Sequence, residues 1–352
     1  MSSNLVGPYQ VAIDITNECN YRCLHCYNSS GNNCVVNNEL SDDDWMYVAE
    51  VIAEVKPQSV CFCGGEPLLK YDLICKMAQI FTEAGIPSIG MVTNGSLLTE
   101  DKLVQFLKYN IASIQISLDG ENAETCYKLR QNKSAYDYAV NAIQLIRKFS
   151  RNRIHCDVSF CPTSFNINEF QNVYEFCNKY KVRELRAQPL MISGRAINNE
   201  AIIKPSREQY NSLEKSIHQL KKKIHNEPGY ITDIEWADPI DHIMRSYEGF
   251  SPKLVYITIK ANGYISFSPY IPLVIGNLKK HSLKEYWAAG IEDVWSYSLI
   301  KEYAKNIFSI SEMKHSDENF PLCWIEDDVY IDFIEDKYLY GNYINNGEHE
   351  GV

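Results

Sequence analysis

The chain has 352 residues, 45% of them hydrophobic and 22% charged, with 34 basic against 45 acidic side chains and a net charge of −11. That length buries one large core, or a core with an appendage, and the acidic balance excludes nucleic acid and anionic membrane as partners. No stretch approaches the roughly 18 to 20 apolar residues that span a bilayer, and the start, Met1 to Pro8, lacks the basic-then-apolar order of a signal peptide.

The first apolar run, Val11–Ile15, reads as a strand, and Cys19-Asn-Tyr-Arg-Cys23-Leu-His-Cys26 follows it. Three thiolates on one loop can hold three corners of a [4Fe–4S] cube and leave the fourth iron without a protein ligand. An iron with an open position can bind substrate or cofactor, much as a catalytic zinc keeps one site free. The same spacing suits a zinc site with His25 or Cys34 as fourth ligand, or plain reduced thiols. Twelve cysteines in a long chain without an export signal point to a reducing compartment, the cytoplasm.

From there to Leu190, β-rich runs alternate with amphipathic helical stretches. The strands are Val11–Ile15, Ser59–Phe62, Ser88–Thr93, Ser113–Leu118, Ile154–Phe160 and Glu184–Gln188. The helices are Asp42–Val55, capped by Ser41, then Asp72–Ala84, Glu100–Tyr109, Ala135–Phe149 and Asn168–Tyr180. This rhythm predicts an α/β fold with a parallel sheet and right-handed crossovers. Six units make an open or incomplete barrel with its site on the loops after the strands. Beyond Pro205 come a polar helix, Arg207–His225, a less regular segment with Trp236, Asp238 and Asp241, and a hairpin, Leu254–Lys260 and Tyr264–Ser268, turning at Ala261-Asn262-Gly263. Leu283–Ala289 reads as a helix before an acidic, aromatic tail. The boundary falls near residue 205, giving a barrel over 1–205 and a smaller α+β extension over 206–352.

The strand ends carry an unusual residue set. Gly64-Gly65-Glu66-Pro67 follows the second strand: two glycines admit a ligand close to backbone, and a carboxylate can bind an ammonium group. Thr93-Asn94-Gly95 follows the third. Ser117-Leu118-Asp119-Gly120 ends the fourth with a hydroxyl and a carboxylate suited to a ribose diol, and Arg130 suits a carboxylate partner. Each alone reads equally as a turn or cap; their order along the barrel argues for one site.

These motifs, with Ile116-Ser117-Leu118-Asp119-Gly120 and Arg186-Ala-Gln-Pro-Leu190, resemble the radical S-adenosylmethionine (SAM) superfamily over about residues 10 to 200. The resemblance implies a partial (β/α)6 barrel with one [4Fe–4S] cluster at its mouth, ligated by Cys19, Cys23 and Cys26. It implies that Glu66, with the backbone of Gly64 and Gly65 beside Pro67 and Asn94, holds the SAM amino group. Ser117, Asp119 and Arg130 would hold ribose and carboxylate, with His25 and Leu190 near adenine. Cleavage of SAM there would yield a 5′-deoxyadenosyl radical able to take a hydrogen atom from an unactivated C–H group, with flavodoxin or ferredoxin as reductant.

Residues Gly249 to Trp287 resemble a remnant of the family's SPASM or twitch extension: Gly263-Tyr-Ile-Ser-Phe-Ser268-Pro269, Gly276-Asn277-Leu278 and Leu283-Lys-Glu-Tyr-Trp287 keep its frame. Ser268 stands where that pattern has cysteine, and Cys323 is the one cysteine beyond residue 177, so no auxiliary cluster is expected. Proteins of this composition mostly modify peptides by cross-linking, epimerisation or dehydrogenation, and others act on sugars, tetrapyrroles or cofactor precursors; a zinc-binding structural protein is the non-enzymatic alternative. A first strand at residue 11 leaves no room for a fused leader-recognition domain, so a separate partner or direct contact with the tail would bind any leader. Cys156, Cys161, Cys177 and Cys323 are small buried hydrophobes or, Cys323 above all, a hydrogen donor to the substrate. Tyr270, Trp236 and Asp238 are either pocket-lining or packed in the core.

Overall fold

The computed structural model describes residues 6–31, 39–150, 152–236, 243, 252–271, 273–305 and 329–342. Seven strands run parallel in chain order: β1 (Gln10–Asp14), β2 (Ser59–Cys63), β3 (Ser88–Thr93), β4 (Ile111–Ser117), β5 (His155–Phe160), β6 (Glu184–Ala187) and β7 (Asp233–Trp236). Helices α1 (Asp42–Val55), α2 (Tyr71–Glu83), α3 (Glu100–Phe106), α4 (Ala123–Arg130), α5 (Ala135–Phe149) and α6 (Phe170–Lys179) cross between them. Ser41 caps α1 through a full capping box with Asp44, as its sequence foretells.

Alternation along the strands sorts two faces. Val60 and Phe62, Ile114 and Ile116, and Val158 and Phe160 enter the helix-covered core with Trp45, Met77, Phe81, Ile143 and Tyr174. Each such side chain contributes roughly 1.5–3 kcal/mol by leaving water. The residues between them face inward, and they are polar or sulfur-bearing: Ser59, Cys61, Cys63, Gln115, Ser117 and Ser159. A parallel sheet with one apolar and one polar face encloses a cavity rather than a second core.

After α7 (Glu200–Ile203) and α8 (Arg207–Asn226), the chain adds β7 to one edge of the sheet. On the other edge, β8 (Tyr256–Ile259) pairs in parallel with β1. An antiparallel hairpin joins β8 to β9 (Tyr264–Ser266), turning on Gly263 at φ +85°, a conformation glycine adopts without cost. β10 (Leu273–Asn277), α9 (Leu283–Ala288), α10 (Ser298–Ala304) and β11 (Val329–Tyr330) complete the extension. Among the described residues, eleven strands form one sheet, β11-β10-β9-β8-β1-β2-β3-β4-β5-β6-β7, whose outer strands do not pair with each other. The architecture is therefore an open, partial α/β barrel, and its sheet continues without a break into the extension.

Several elements were not foretold by the sequence: Glu200–Ile203, Leu273–Asn277, Ser298–Ala304, Val329–Tyr330, and two within the barrel sheet and its crossovers. β7 lies in the segment read as irregular, because its four residues bury only Ile234 and leave no alternation to read. α4 arises in a polar stretch, started by Asn122 accepting from Thr125 N and ended by Gln131 in the left-handed region.

Candidate active site

One cavity of about 530 Å³ opens at the strand ends, and Cys19, Cys23, His25, Cys26, Gly64, Gly65, Asn94, Ser117, Asp119, Arg130 and Leu190 all line it. The backbone between β1 and α1 is held there from three sides. Thr16 O accepts from Gly65 N at 2.7 Å and Glu18 O from Glu66 N at 2.9 Å. Arg22 Nη1 donates to Cys19 O at 2.7 Å. Arg195 Nη1 donates to Cys23 O at 2.8 Å, and its Nη2 to Ser29 O at 2.9 Å and Ser30 O at 2.6 Å. The preceding Gly194 sits at φ +53°, where a Cβ would stand 2.3 Å from Tyr27 O. Nothing in the sequence pattern singles out Arg195, yet it ties the cysteine loop to the segment after β6.

The glycine pair lines the cavity and also packs against backbone. A Cβ on Gly64 would lie 2.4 Å from Thr16 O, and one on Gly65 2.0 Å from Glu18 O. The backbone that these glycines admit is the start of the cysteine loop itself. Glu66 and Pro67 do not line the cavity. Glu66 is fully buried, and its carboxylate accepts from Thr93 Oγ1 at 2.6 Å, Asn94 N at 2.9 Å and Leu68 N at 3.1 Å. Burial raises its pKa, and those donors oppose the rise. Its oxygens knit β2 to β3, with Oε1 taking two of those bonds and Oε2 one, which leaves acceptor capacity on Oε2. Pro67 opens the short helical turn that Glu66 caps.

Across the cavity, Arg130 Nη2 stands 2.5 Å from Asp119 Oδ2, with their side chains 9% and 1% exposed. Asp119 Oδ1 accepts from Cys161 N at 2.7 Å. The contact at Oδ2 is a charge contact without hydrogen-bond geometry: Oδ2, Arg130 Nε and His25 Nδ1 are buried polar atoms lacking a hydrogen-bond partner. His25 Nε2 lies 3.6 Å from Asp119 Oδ2. Burial drives the His25 pKa down to about 4, against the pull of Asp119, so the ring is neutral near pH 7. Burial likewise pushes the Cys23 thiol up to about 12 and raises that of Cys19. Buried polar atoms without partners are costly, and they mark where a polar ligand completes the site.

Other expectations fall elsewhere. Cys161 joins the cavity, but Cys156, Trp236 and Tyr270 do not line it, and Cys177 is a fully buried core residue. Cys34, Asp238 and Cys323, the proposed hydrogen donor, lie outside the described residues. Ser268 is buried and its Oγ accepts from Tyr270 N at 3.2 Å, so it shapes a turn. Sequence reasoning missed Cys61, Cys63, Gln115, Arg186, Gln188 and Tyr256, which line the cavity's inner wall. Strand alternation could have found Cys61 and Cys63, because Ser59-Val-Cys-Phe-Cys63 places both thiols on the face opposite Val60 and Phe62.

No three His, Cys, Asp or Glu side chains among the described residues form the ligand set of a single ion. A cube spreads its thiolates over separate irons and asks for no such convergence. Three thiols, a buried guanidinium and unpartnered carboxylate and imidazole atoms on one cavity fit a cluster together with a zwitterionic nucleoside.

Comparison with known proteins agrees with this geometry. The radical SAM superfamily pattern matches residues 13–177. The chain is 23% identical over 295 residues to the AdoMet-dependent heme synthase of Methanosarcina barkeri, spanning 80% of this chain and 82% of that one. It is 26% identical over 318 residues to the sporulation killing factor maturation protein SkfB of Bacillus subtilis, spanning 89% and 72%. Its fold resembles that of Streptococcus suis SuiB bound to S-adenosylmethionine, with a TM-score of 0.65 at 16% identity over 87% of this chain and 76% of that chain. Enzymes of this kind work with a [4Fe–4S] cluster and SAM. Residues 13–177 thus carry a radical SAM domain, and the chain is similar to enzymes of that superfamily.

Proposed function

We propose that this enzyme removes a hydrogen atom from a peptide, with Cys19, Cys23 and Cys26 holding the cluster and the opposite wall holding SAM. The observation that carries it is the convergence of those thiols with Arg130, Asp119 and His25 on one cavity. When bound, cluster and SAM supply a primary carbon radical strong enough to break an unactivated C–H bond. The chain's own residues bind, orient and shield. Arg195, Arg22 and the Gly64-Gly65 turn fix the three thiols. Arg130, set by Asp119, offers its unpartnered Nε to the methionyl carboxylate. Ser117 and Asn94 would hold the ribose and amino groups, Glu66 accepts from Asn94 N and keeps it in place, and His25 and Leu190 would border the adenine.

The barrel over 1–205 carries this chemistry, and the extension over 206–352, a SPASM-like remnant, selects the substrate. Tyr256 on β8 supports that division, since it brings the extension to the cavity wall. The peptide assignment is supported by the similarity to SkfB, a maturation protein. A tetrapyrrole substrate is the second reading, favoured by the similarity to a heme synthase. Anaerobic assays with short peptides and with iron porphyrins, following mass changes and 5′-deoxyadenosine, separate the two. Peptide-coupled nucleoside formation supports the first, and porphyrin-coupled formation replaces it with the second. A flavodoxin or ferredoxin supplies the electron.

A further inference from the structure

Two thiols on the cavity wall have no part in holding cluster or SAM. Cys61 and Cys63 are two residues apart on β2, so their side chains leave the strand on one side. Both line the cavity shared with the three loop cysteines. Cys63 Sγ lies 3.6 Å from Cys61 Sγ. Gly90 stands opposite Cys61 on β3 and leaves room for it: a Cβ there would reach within 3.4 Å of Cys61 Sγ. The hydrogen bond to Cys61, with burial, holds the Cys63 thiol well above its ordinary pKa, so it keeps its proton. Nucleophiles and metal ligands are thiolates; a protonated thiol is instead a hydrogen-atom donor, because its S–H bond is weak.

Resting on the radical reading above, we propose that Cys61 and Cys63 are the internal hydrogen-atom source that quenches the substrate radical. The carbon radical takes hydrogen from one thiol, so an S–H bond breaks, a C–H bond forms and that sulfur becomes a radical. One electron from a reduced flavodoxin- or ferredoxin-class carrier and one proton then return that sulfur to a thiol. The net step adds one electron and one proton to the substrate radical, and both thiols are restored in place, since two residues of one paired strand stand too far apart to join as a disulfide. The substrate keeps its constitution and regains hydrogen from the β2 side, which is the outcome of stereoinversion rather than cross-linking or dehydrogenation.

The test uses the iron-loaded protein with SAM and titanium(III) citrate in D2O, free of thiols and of added substrate. Its thiols are exchanged to S–D and face the same cavity. The 5′-deoxyadenosine formed should carry solvent deuterium, falling at least tenfold in Cys61→Ala/Cys63→Ala. If the parent's nucleoside forms without solvent deuterium, or the double variant's carries as much as the parent's, the donor role is overturned and the radical reading stands. If no nucleoside forms at all, both fall. Should the double variant not fold, Cys61→Ser and Cys63→Ser, each tested singly, carry the same comparison.

Discussion

Arg195→Ala removes three side-chain hydrogen bonds to the carbonyls of Cys23, Ser29 and Ser30 and leaves the sheet untouched. Each bond from a half-buried guanidinium is worth about 1 kcal/mol net. Together they hold the loop by about 3 kcal/mol, or roughly a hundredfold in its opening equilibrium, at 1.4 kcal/mol per decade. The backbone bond from Arg195 N to Cys26 O at 2.9 Å survives, so the loop loosens without detaching. Hydrogen exchange reads this directly, because Cys26 N, Ser29 N and Gly31 N are all bonded within the loop and its base. Their exchange should quicken by about that factor, and iron retained after anaerobic loading should fall with it. Arg195→Lys keeps the charge without the fork and should lie between. Unchanged exchange across residues 23–31, with full iron, would refute the clamp.

Gly65→Ala drives a methyl group into Glu18 O; it should cost about 1–3 kcal/mol and lower iron loading, measured by thermal unfolding and iron assay. Gly229→Ala, whose Cβ meets nothing within 4 Å, should change neither. Arg130→Met leaves the Asp119 carboxylate buried without its cation, so stability should drop by about 3–5 kcal/mol in denaturant unfolding; adding Asp119→Asn should return part of that loss. Asp14 is buried and its pKa is raised to about 6, chiefly by desolvation, with Lys260 opposing. Its folded-state value lies above the ordinary 3.8, so its contribution is best at low pH and is lost as pH rises from about 4 through about 6. Asp14→Asn should remove that loss, gaining about 1–3 kcal/mol relative to the parent between pH 4 and pH 7; parallel pH profiles of the two proteins would dismiss it.

Much of the barrel was legible because short apolar runs such as Ser88–Thr93 take turns with amphipathic helical stretches, of which Asp42–Val55 carries a full capping box. Ser88–Thr93, Asp42–Val55 and Ala135–Phe149 coincide with their sequence-based ranges. The cysteine loop and the Ser117-Leu118-Asp119 strand end were legible as chemistry, since such residues at successive strand ends converge only in a barrel. What the motifs could not convey was direction. Glu66 reads as a ligand group, and its oxygens also accept from Thr93 and Asn94; Gly64-Gly65 reads as a ligand cradle, and residues 14–18 also pack against it. Arg195 escaped notice because its partners are backbone carbonyls some 165 to 172 residues away, which no local pattern encodes. The pairing of β8 with β1 escaped for the same reason: a parallel neighbour so distant in sequence leaves no mark in either strand.

The most direct measurement compares the parent with Cys23→Ala after anaerobic loading with iron and sulfide. The parent should bind about four iron per chain and cleave SAM to 5′-deoxyadenosine when reduced. Cys23→Ala should lose the cluster absorption and at least a hundredfold of the cleavage while unfolding at nearly the parent's temperature. A Cys23→Ala protein that keeps four iron and cleaves SAM at the parent's rate would contradict a cluster held by Cys19, Cys23 and Cys26.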